Sequence, residues 1–516
     1  MSSTAPKSSP VVGFVSLGCP KNLVDSEVMM GLLDRAGARL TARPEDADIL
    51  VVNTCSFIDT AKQESVDTIL EMARYKTEGR ARKLIVAGCL VERYRDEIQK
   101  NIPEVDAVVG TGELESILEA AGLAPAPAAP SPFNILTTAH ADTRSGKESQ
   151  AGTHKSPSTP VQDQRKTKGR PEGDHREAQG RFKRDSWQGA SHLLPTYLYD
   201  ETTPRLLTTP RASAYIKIAE GCDHPCSFCV IPNLRGKFRS RRFESVIAEA
   251  EALVADGTRE ITLIGQDTTC YGEDLDLKDG LATLLDRLAR IPNLRWLRFL
   301  YAYPNRITGK LLDTIARHDN ICKYLDLPLQ HASPGILKRM KRGAGAEIFL
   351  KTLAKVRAAV PGIALRTSFI VGFPGESLRD FELLEQFIQE ARFDWLGVFN
   401  YSHEEGSAAY ALDGQISHRT IESRRKRLMK LQQSISRRAK QNWVGRELTV
   451  LAEGASAETP LLWEGRTQFH APEIDGTVYL NDFGPLDALE PSRFYRAQIT
   501  EAHDYDLVAR ILAPES

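Results

Sequence analysis

The sequence has few cysteines for its length and no long hydrophobic run. It holds 8 cysteines in 516 residues, a density too low for a secreted scaffold that is stapled by disulfides. No hydrophobic stretch approaches the roughly 18 residues that a membrane span needs. The first residues lack the basic and then hydrophobic layout of a secretory signal. These absences predict a cytoplasmic protein without a membrane partner, in which clustered cysteines are metal ligands or reactive thiols.

Neither sign of charge dominates the chain. The 67 Lys and Arg residues nearly balance the 68 Asp and Glu residues, for a formal net charge of −1. Whole-protein electrostatics therefore do not indicate a nucleic-acid partner. The length predicts several domains rather than one, and the composition is typical of globular proteins.

Three short hydrophobic runs near the N-terminus each lead to a cysteine. Runs 11–15, 49–52 and 84–87 precede Cys19, Cys55 and Cys89, and a helix-compatible stretch follows each cysteine. This alternation predicts a doubly wound parallel α/β domain over residues 11–121. Because parallel strands place their carboxyl ends at one edge of the sheet, we expect the three cysteines to converge there. The alternative is three unrelated buried cysteines.

Residues 122–205 have a different character. Residues 140–190 are polar and rich in Gly, Ser, Lys and Arg. Such a stretch cannot bury enough apolar surface to offset its ordering entropy. We therefore expect a linker with a disordered insertion, with a nucleic-acid-binding arm as the alternative.

Residues 206–443 return to alternating strands and helices. The six hydrophobic runs, 214–219, 261–264, 296–300, 324–327, 365–371 and 395–399, favour an incomplete (βα)₆ barrel with its site at the strand carboxyl ends. The last helical stretch, 419–440, has nine Lys or Arg against one acid. Residues 444–513 contain short β-like runs with turns, which predict a small all-β barrel.

The first strand of this second unit leads into the motif Cys222-Asp-His-Pro-Cys226-Ser-Phe-Cys229. Thiolates are the ligands of iron–sulfur clusters. Three cysteines on one loop suit three irons of a [4Fe–4S] cube, which leaves the fourth iron open to a small molecule. A zinc site with His224 as the fourth ligand is the alternative, although zinc sites usually show paired spacing.

This loop and the six-unit barrel resemble the radical S-adenosylmethionine superfamily. The stretches 264–267 and 368–375 are similar to the cofactor-contacting stretches of that superfamily. The resemblance implies that the open iron binds S-adenosylmethionine, and that one electron cleaves it to a radical that abstracts hydrogen. It also implies that Gln266, Asp267 and Gln330 contact S-adenosylmethionine.

Together with the N-terminal cysteines and the C-terminal barrel, the chain resembles the methylthiotransferases of that superfamily. The resemblance covers residues 11–121 and about 195–513. It implies a second [4Fe–4S] cluster on Cys19, Cys55 and Cys89, a C-terminal barrel of the TRAM type, and no catalytic residues beyond the cluster ligands. It further implies that S-adenosylmethionine is both methyl donor and radical source, and that an electron donor and a sulfur source take part.

The substrate is indicated by the motif at 16–27, Ser-Leu-Gly-Cys-Pro-Lys-Asn-Leu-Val-Asp-Ser-Glu. It resembles the branch of the family that methylthiolates the β-carbon of an aspartate in protein S12 of the small ribosomal subunit. Stretches 324–331, 401–406 and 465–476 are similar to that branch as well. The tRNA-modifying branch of the MiaB type typically has Gly-Cys-Gln-Met-Asn instead. Two alternatives stay open: a tRNA methylthiotransferase, and a non-catalytic iron–sulfur or zinc module that binds nucleic acid.

The charge of the C-terminal barrel is an independent indication. Residues 445–516 contain thirteen Asp or Glu against five Arg and no Lys, a formal charge of −8. A tRNA-clamping domain should be basic, whereas an acidic one suits a basic ribosomal protein. We expect Glu473, Asp475 and Asp482 to share an exposed face, and ordinary surface charge is the alternative. The basic stretch 419–440 is either a solvated helix face or a contact to ribosomal RNA.

Overall fold

A computed structural model describes residues 9–125, 135–136, 195–457, 459 and 461–515 of the chain. The polar stretch 140–190, expected to be a disordered insertion, lies outside the described residues. Within them, no helix combines the length and the apolar character needed to cross a membrane.

The N-terminal sheet has five parallel strands in the order β2-β1-β3-β4-β5. Helices α1 and α4 pack on one face of this sheet, and α2 and α3 pack on the other, so the predicted doubly wound fold is confirmed. The sequence did not indicate β2 and β5, because each is only three residues long. The elements are β1 (Val11–Ser16), α1 (Pro20–Arg35), β2 (Arg39–Thr41), β3 (Ile49–Thr54), α2 (Asp59–Arg74), β4 (Lys83–Gly88), α3 (Cys89–Asn101), β5 (Ala107–Val109) and α4 (Ile117–Ala121).

The central unit is a row of six parallel strands, as expected for a partial (βα)₆ barrel. Strands β8, β11 and β12 form one half, strands β13, β14 and β15 form the other, and a parallel bridge between Leu297 and Ile321 joins them. All six predicted strands are present, with bounds within two residues of those expected. The strands are β6 (Ile135–Leu136), β7 (Arg205–Leu206), β8 (Ser213–Lys217), β9 (Ala219–Glu220), β10 (Arg239–Ser240), β11 (Glu260–Ile264), β12 (Trp296–Phe299), β13 (Tyr324–Asp326), β14 (Ala364–Val371) and β15 (Trp395–Asn400).

Helices enclose the outer side of this row and share one large hydrophobic core with it. The short pairs β6/β7 and β9/β10 lie outside the six-stranded row, and the motif at 222–229 lies between β9 and the first helix. The helices are α5 (Ile231–Arg235), α6 (Phe243–Ala255), α7 (Gly280–Leu288), α8 (Gly309–Arg317), α9 (Pro334–Arg339), α10 (Ala346–Ala359), α11 (Leu378–Ala391) and α12 (His418–Gln441).

The C-terminal unit is a closed five-stranded barrel in the order β16-β17-β18-β20-β19. Short hydrophobic runs in the sequence correspond to four of its strands, and the predicted small all-β barrel is confirmed. The fifth strand, β17, was not predicted, because Trp-Glu-Gly-Arg has no hydrophobic run to reveal a strand. The strands are β16 (Glu447–Ala455), β17 (Trp463–Arg466), β18 (Val478–Asp482), β19 (Arg493–Ala502) and β20 (Leu507–Pro514).

The loop at 465–476 attaches this barrel to the central unit. Arg466 forms a buried ion pair with Glu260, and the Trp395 indole N–H donates to the Phe469 carbonyl at 2.8 Å. The Tyr324 hydroxyl donates to Asp475 at 2.6 Å, and the Asp475 side chain is only 3% exposed. The expectation that Asp475 shares an exposed face with Glu473 and Asp482 is therefore wrong. Asp475 is buried because it accepts the hydrogen bond from Tyr324 that links the two units.

Candidate active site

The three N-terminal cysteines lie at the carboxyl edge of the first sheet. Cys19 caps the start of α1, Cys55 directly follows β3, and Cys89 is the first residue of α3. Burial, with a smaller effect of the neighbouring Cys89 and Cys19, raises the pKa of Cys55 to about 12. The three side chains therefore share one local environment, where two helix N-termini favour negative charge.

Two glycines make this close approach feasible. Gly18 has φ +91°, and a Cβ there would lie 2.8 Å from Cys55 Cβ and 3.2 Å from its Sγ. Gly88 has φ +93°, and a Cβ there would lie 2.2 Å from Asn53 Oδ1. Any side chain at either position would displace a cysteine or the strand end that carries it.

Asn22 and Arg235 fix the position of Cys89. The Asn22 amide donates to the carbonyls of Leu17 at 2.9 Å and Thr54 at 2.8 Å, which ties the loops that carry Cys19 and Cys55. Its oxygen accepts from Arg235 at 2.5 Å, and the same Arg235 nitrogen lies 3.5 Å from Cys89 Sγ. Because Arg235 belongs to the central unit, a cation from one unit contacts a cysteine of the other.

The cysteine motif at 222–229 is held by the end of α9. The Ser227 N–H and hydroxyl donate to the carbonyls of Met340 and Arg339, at 3.0 and 2.8 Å. The Arg342 guanidinium donates to Cys226 Sγ at 3.5 Å. Burial, with a smaller effect of neighbouring cysteines, raises the pKa values of Cys222 and Cys229 to about 11 and about 12.

The His224 side chain contacts Asp267 and Tyr303, which lie outside the cysteine motif. Its Nε2 lies 2.6 Å from Asp267 Oδ2, and its ring stacks on Tyr303 with 4.0 Å between centroids. Asp267 also accepts from the Thr269 N–H at 2.8 Å and from the Cys270 thiol at 3.0 Å. Burial opposes ionisation of Asp267, but these donors hold its pKa below the usual value. A contact from Asp267 to S-adenosylmethionine stays a prediction.

The two predicted glutamine contacts differ in their surroundings. The Gln266 amide donates to Glu220 at 2.6 Å, so it faces the boundary between the two units. Gln330 adopts φ +71°, and its backbone bonds to Ser368 and Ile370 of β14 at 2.9 and 2.8 Å. Both lie near the carboxyl ends of barrel strands, and their roles as S-adenosylmethionine contacts stay predictions.

The spacing of the sulfur atoms tests which metal group each triad fits. Neither cysteine triad has its three sulfur atoms all within 4.8 Å of one another, a condition that only His224, Asp267 and Cys270 meet among the described residues. The ligands of one zinc ion crowd around a single centre. In a [4Fe–4S] cube each thiolate binds a different iron, which holds the sulfur atoms farther apart. The spacing therefore does not match a single zinc ion, and three thiolates on each set are ligands that a [4Fe–4S] cube takes.

Cysteine residues of both triads lie at the boundary between the units. Cys89 packs against Val230 and Leu234, and Val230 directly follows Cys229. Four buried charges lie beside this contact. Asp25 and Glu220 each accept from Lys217 at 2.5 Å, and from Arg235 at 2.6 and 3.2 Å. Burial disfavours the charge of Glu220, but Lys217 and Arg235 hold its pKa well below the usual value.

Further buried ion pairs fasten the same boundary. Arg205 pairs with Glu27 at 2.6 Å, and Arg93 pairs with Glu404 at 2.8 Å. Glu27 belongs to the motif at 16–27, and Glu404 belongs to the stretch at 401–406, so both stretches contribute to the boundary. Sequence reasoning missed these pairs. The available signal was the row of polar residues on α1 where a packed helix should be apolar.

Two sets of three cysteines, on a doubly wound domain and a partial (βα)₆ barrel, are the arrangement expected of the radical S-adenosylmethionine class. Family models match the chain in three places: the Uncharacterized protein family UPF0004 over residues 11–110, the Radical SAM superfamily over 216–388 and the TRAM domain over 444–512. The predicted fold class is thereby confirmed.

Similar proteins narrow this class. The chain is 64% identical over 502 residues to the Ribosomal protein uS12 methylthiotransferase RimO of Koribacter versatilis, covering 97% of this chain and 96% of that one. It is 54% identical to the protein of the same name from Solibacter usitatus, covering 98% and 95%. The solved structure of the radical S-adenosylmethionine methyltransferase TsrM from Kitasatospora setae has a TM-score of 0.46 at 16% identity, covering 76% and 72%. The chain belongs to the RimO family of methylthiotransferases.

This membership confirms the predicted enzyme class, a radical S-adenosylmethionine methylthiotransferase. A [4Fe–4S] cluster and S-adenosylmethionine follow from the superfamily. The second cluster and the individual ligand residues are proposals, developed below.

Proposed function

We propose that this protein replaces a hydrogen on the β-carbon of an aspartate of small-subunit ribosomal protein uS12 with a methylthio group. The observation that carries the proposal is the packing of Cys89 against Val230 and Leu234, beside Cys229. Sulfur delivery and hydrogen abstraction must act on the same carbon, so the groups responsible must lie within reach of one substrate atom. The RimO name of the relatives supports uS12 as the substrate.

We assign one [4Fe–4S] cluster to Cys222, Cys226 and Cys229, and a second to Cys19, Cys55 and Cys89. When bound, the first supplies the electron that cleaves S-adenosylmethionine, and the second supplies the iron from which sulfur is delivered. The residues around them hold the two sets in register. Arg235 and Asn22 position Cys89, and Arg342 donates to Cys226.

Exclusion of water is a further task of this boundary. Asp25, Lys217, Glu220 and Arg235 each have side chains no more than 4% exposed. Their charges neutralise one another, so the boundary remains closed without leaving an unpaired charge. A radical formed on the substrate is thereby shielded from solvent on this side.

The experiment is intact and tandem mass spectrometry of uS12 from wild-type cells, from a deletion strain and from that strain carrying the gene. We expect one methylthio group on one aspartate in the first and third samples and none in the second. A Cys19→Ala, Cys55→Ala, Cys89→Ala variant of the gene should fail to restore it. Unmodified uS12 in wild-type cells would overturn the proposal.

The tRNA alternative is tested in the same strains by nucleoside mass spectrometry. Four arginines of the basic helix α12 are already paired with acids of this chain: Arg424 with Glu376, Arg425 with Glu422, Arg427 with Glu385 and Arg437 with Asp504. That pairing leaves fewer cations for phosphate than the sequence suggests, which favours a protein substrate. Loss of a methylthiolated nucleoside in the deletion strain would support the alternative.

Four exposed cations of α12 have no ion-pair partner among the described residues: Arg419, Lys426, Lys430 and Arg438. We propose that they contact ribosomal RNA next to uS12, which agrees with a TRAM domain in the same chain. We also propose that the enzyme works in the cytoplasm and requires an electron donor and a sulfur source from the cell. Salt-dependent binding to ribosomal subunits, lost on replacing these four residues by Gln, tests the RNA contact.

A further inference from the structure

We infer that Lys21 binds the carboxylate of the target aspartate and thereby selects aspartate over its amide. The inference rests on the proposed function, because it concerns the side chain on which that reaction acts. It adds a specificity-determining residue that is neither a cluster ligand nor a contact of S-adenosylmethionine.

Lys21 is a buried cation without a carboxylate partner among the described residues. It is only 8% exposed, and its ammonium lies 3.3 Å from the centroid of the Tyr301 ring. Among the described residues, no carboxylate lies within ion-pair distance of it, and the groups that act on its charge are Tyr301, Cys19 and, more weakly, the cation Arg235. Burying an ammonium in this way is costly unless an anion joins it.

The other buried cations of the boundary do have carboxylate partners. Lys217 and Arg235 share Asp25 and Glu220, and Arg205 pairs with Glu27. These three cations of the boundary are thus paired with carboxylates, whereas Lys21 is not.

Asp326, an acid that contacts Tyr301, is paired with another residue. Asp326 accepts from Arg366 at 2.8 Å and from the Tyr301 N–H at 3.1 Å. Asp326 is therefore neutralised by Arg366 and does not serve as the counter-ion of Lys21. No carboxylate of the described residues is therefore placed to pair with Lys21, and a carboxylate of the substrate can do so.

The position of Lys21 suits a substrate contact. Lys21 follows Cys19 by two residues, and Tyr301 follows the end of β12, where parallel barrels hold their reacting groups. Tyr301 adopts φ +63°, which is uncommon for a residue with a Cβ, and strained backbone of this kind concentrates at functional sites. A carboxylate bound here would place the adjacent β-carbon close to Cys19.

The other anion within reach of Lys21 is the thiolate set that includes Cys19. If Lys21 served only that set, its loss would change iron content but not the choice between aspartate and asparagine. The two roles therefore predict different results, and a double-mutant cycle between enzyme and substrate separates them.

The test uses anaerobically reconstituted full-length protein and recombinant uS12, as wild type and with the target Asp→Asn. Dissociation constants are measured for wild type, Lys21→Met and Lys21→Arg, and iron content and 5′-deoxyadenosine formation are recorded for each. Lys83→Met is the matched control, because its ammonium bonds to the Ala120 carbonyl and it begins β4, at the opposite edge of the sheet.

We expect Asp→Asn in uS12 to weaken binding to wild type by about tenfold or more, as for loss of a charge-assisted hydrogen bond. Lys21→Met should bind both forms equally weakly, Lys21→Arg should recover part of the preference, and Lys83→Met should match wild type. A Lys21→Met protein that keeps the full preference for aspartate would overturn the inference. If wild-type protein neither binds nor modifies uS12, it is the proposed function that fails.

Discussion

Replacing Asp25 by Asn should weaken the attachment of the N-terminal domain more than any surface substitution. Asp25 bonds to Lys217 at 2.5 Å and to Arg235 at 2.6 Å, and all three side chains are at most 3% exposed. Removing one partner of a buried pair costs about 3–5 kcal/mol, because the other charge stays buried. Since Glu220 still pairs with both cations, we expect the lower end, about 3 kcal/mol, or roughly a hundredfold in the unfolding equilibrium.

The measurement is urea unfolding of the full chain under anaerobic conditions, followed by circular dichroism. Asp46→Asn is the control, because Asp46 pairs with Arg43 on the surface and exposed pairs contribute little. The double variant Asp25→Asn, Lys217→Met leaves the neutral pair of Glu220 and Arg235. It should therefore be destabilised less than the sum of its two single variants, by at least about 1 kcal/mol. Strictly additive losses would refute the idea that these charges act as one network.

Three further predictions concern the clusters and the pH response. Reconstituted protein should hold about eight irons, and replacing Cys222, Cys226 and Cys229 by Ala should leave about four. Iron and sulfide analysis measures this, and full iron retention in the variant would contradict the ligand assignment. Replacing Cys19, Cys55 and Cys89 by Ala should abolish methylthio transfer but preserve 5′-deoxyadenosine formation, because cleavage of S-adenosylmethionine needs only the other cluster. Loss of both activities in a protein that keeps four irons would contradict these separate roles of the two clusters. Burial lowers the pKa of His331 from 6.5 to about 4. Between these two pH values His331 is protonated in the unfolded chain but neutral in the folded chain. The contribution of His331 to the free energy of unfolding therefore falls as pH drops from about 6.5 towards 4. His331→Gln should show a shallower loss of stability over that range, and an unchanged slope would contradict the burial argument.

The cysteine sites were readable from the sequence because their signals are local. A hydrophobic run followed by cysteine marks a strand end, and a parallel sheet then brings Cys19, Cys55 and Cys89 to one edge whatever the lengths between them. The motif at 222–229 needs no tertiary information at all. Strand β17 and the three-residue strands were not readable, because they carry too little periodicity to separate them from loops.

The boundary between the units was not readable for a different reason. Asp25, Lys217 and Arg235 are ordinary charged residues in the sequence, and charge predicts exposure unless a partner is known. Their partners lie 192 and 210 residues away from Asp25, so no local pattern links them. The same limit explains the error over Asp475, whose burial depends on Tyr324 of the central unit.

These long-range pairs explain why the motif at 16–27 is polar although it is buried. Asn22 and Asp25 are one turn apart on α1, so both meet the central unit and Arg235 at once. An apolar helix face would attach the two units at least as strongly, but it would tolerate sliding and rotation. Hydrogen bonds to a buried guanidinium tolerate neither, because a displaced donor is left unsatisfied. The polar boundary thus fixes the distance and angle between two sets of cysteines that have to serve one carbon atom.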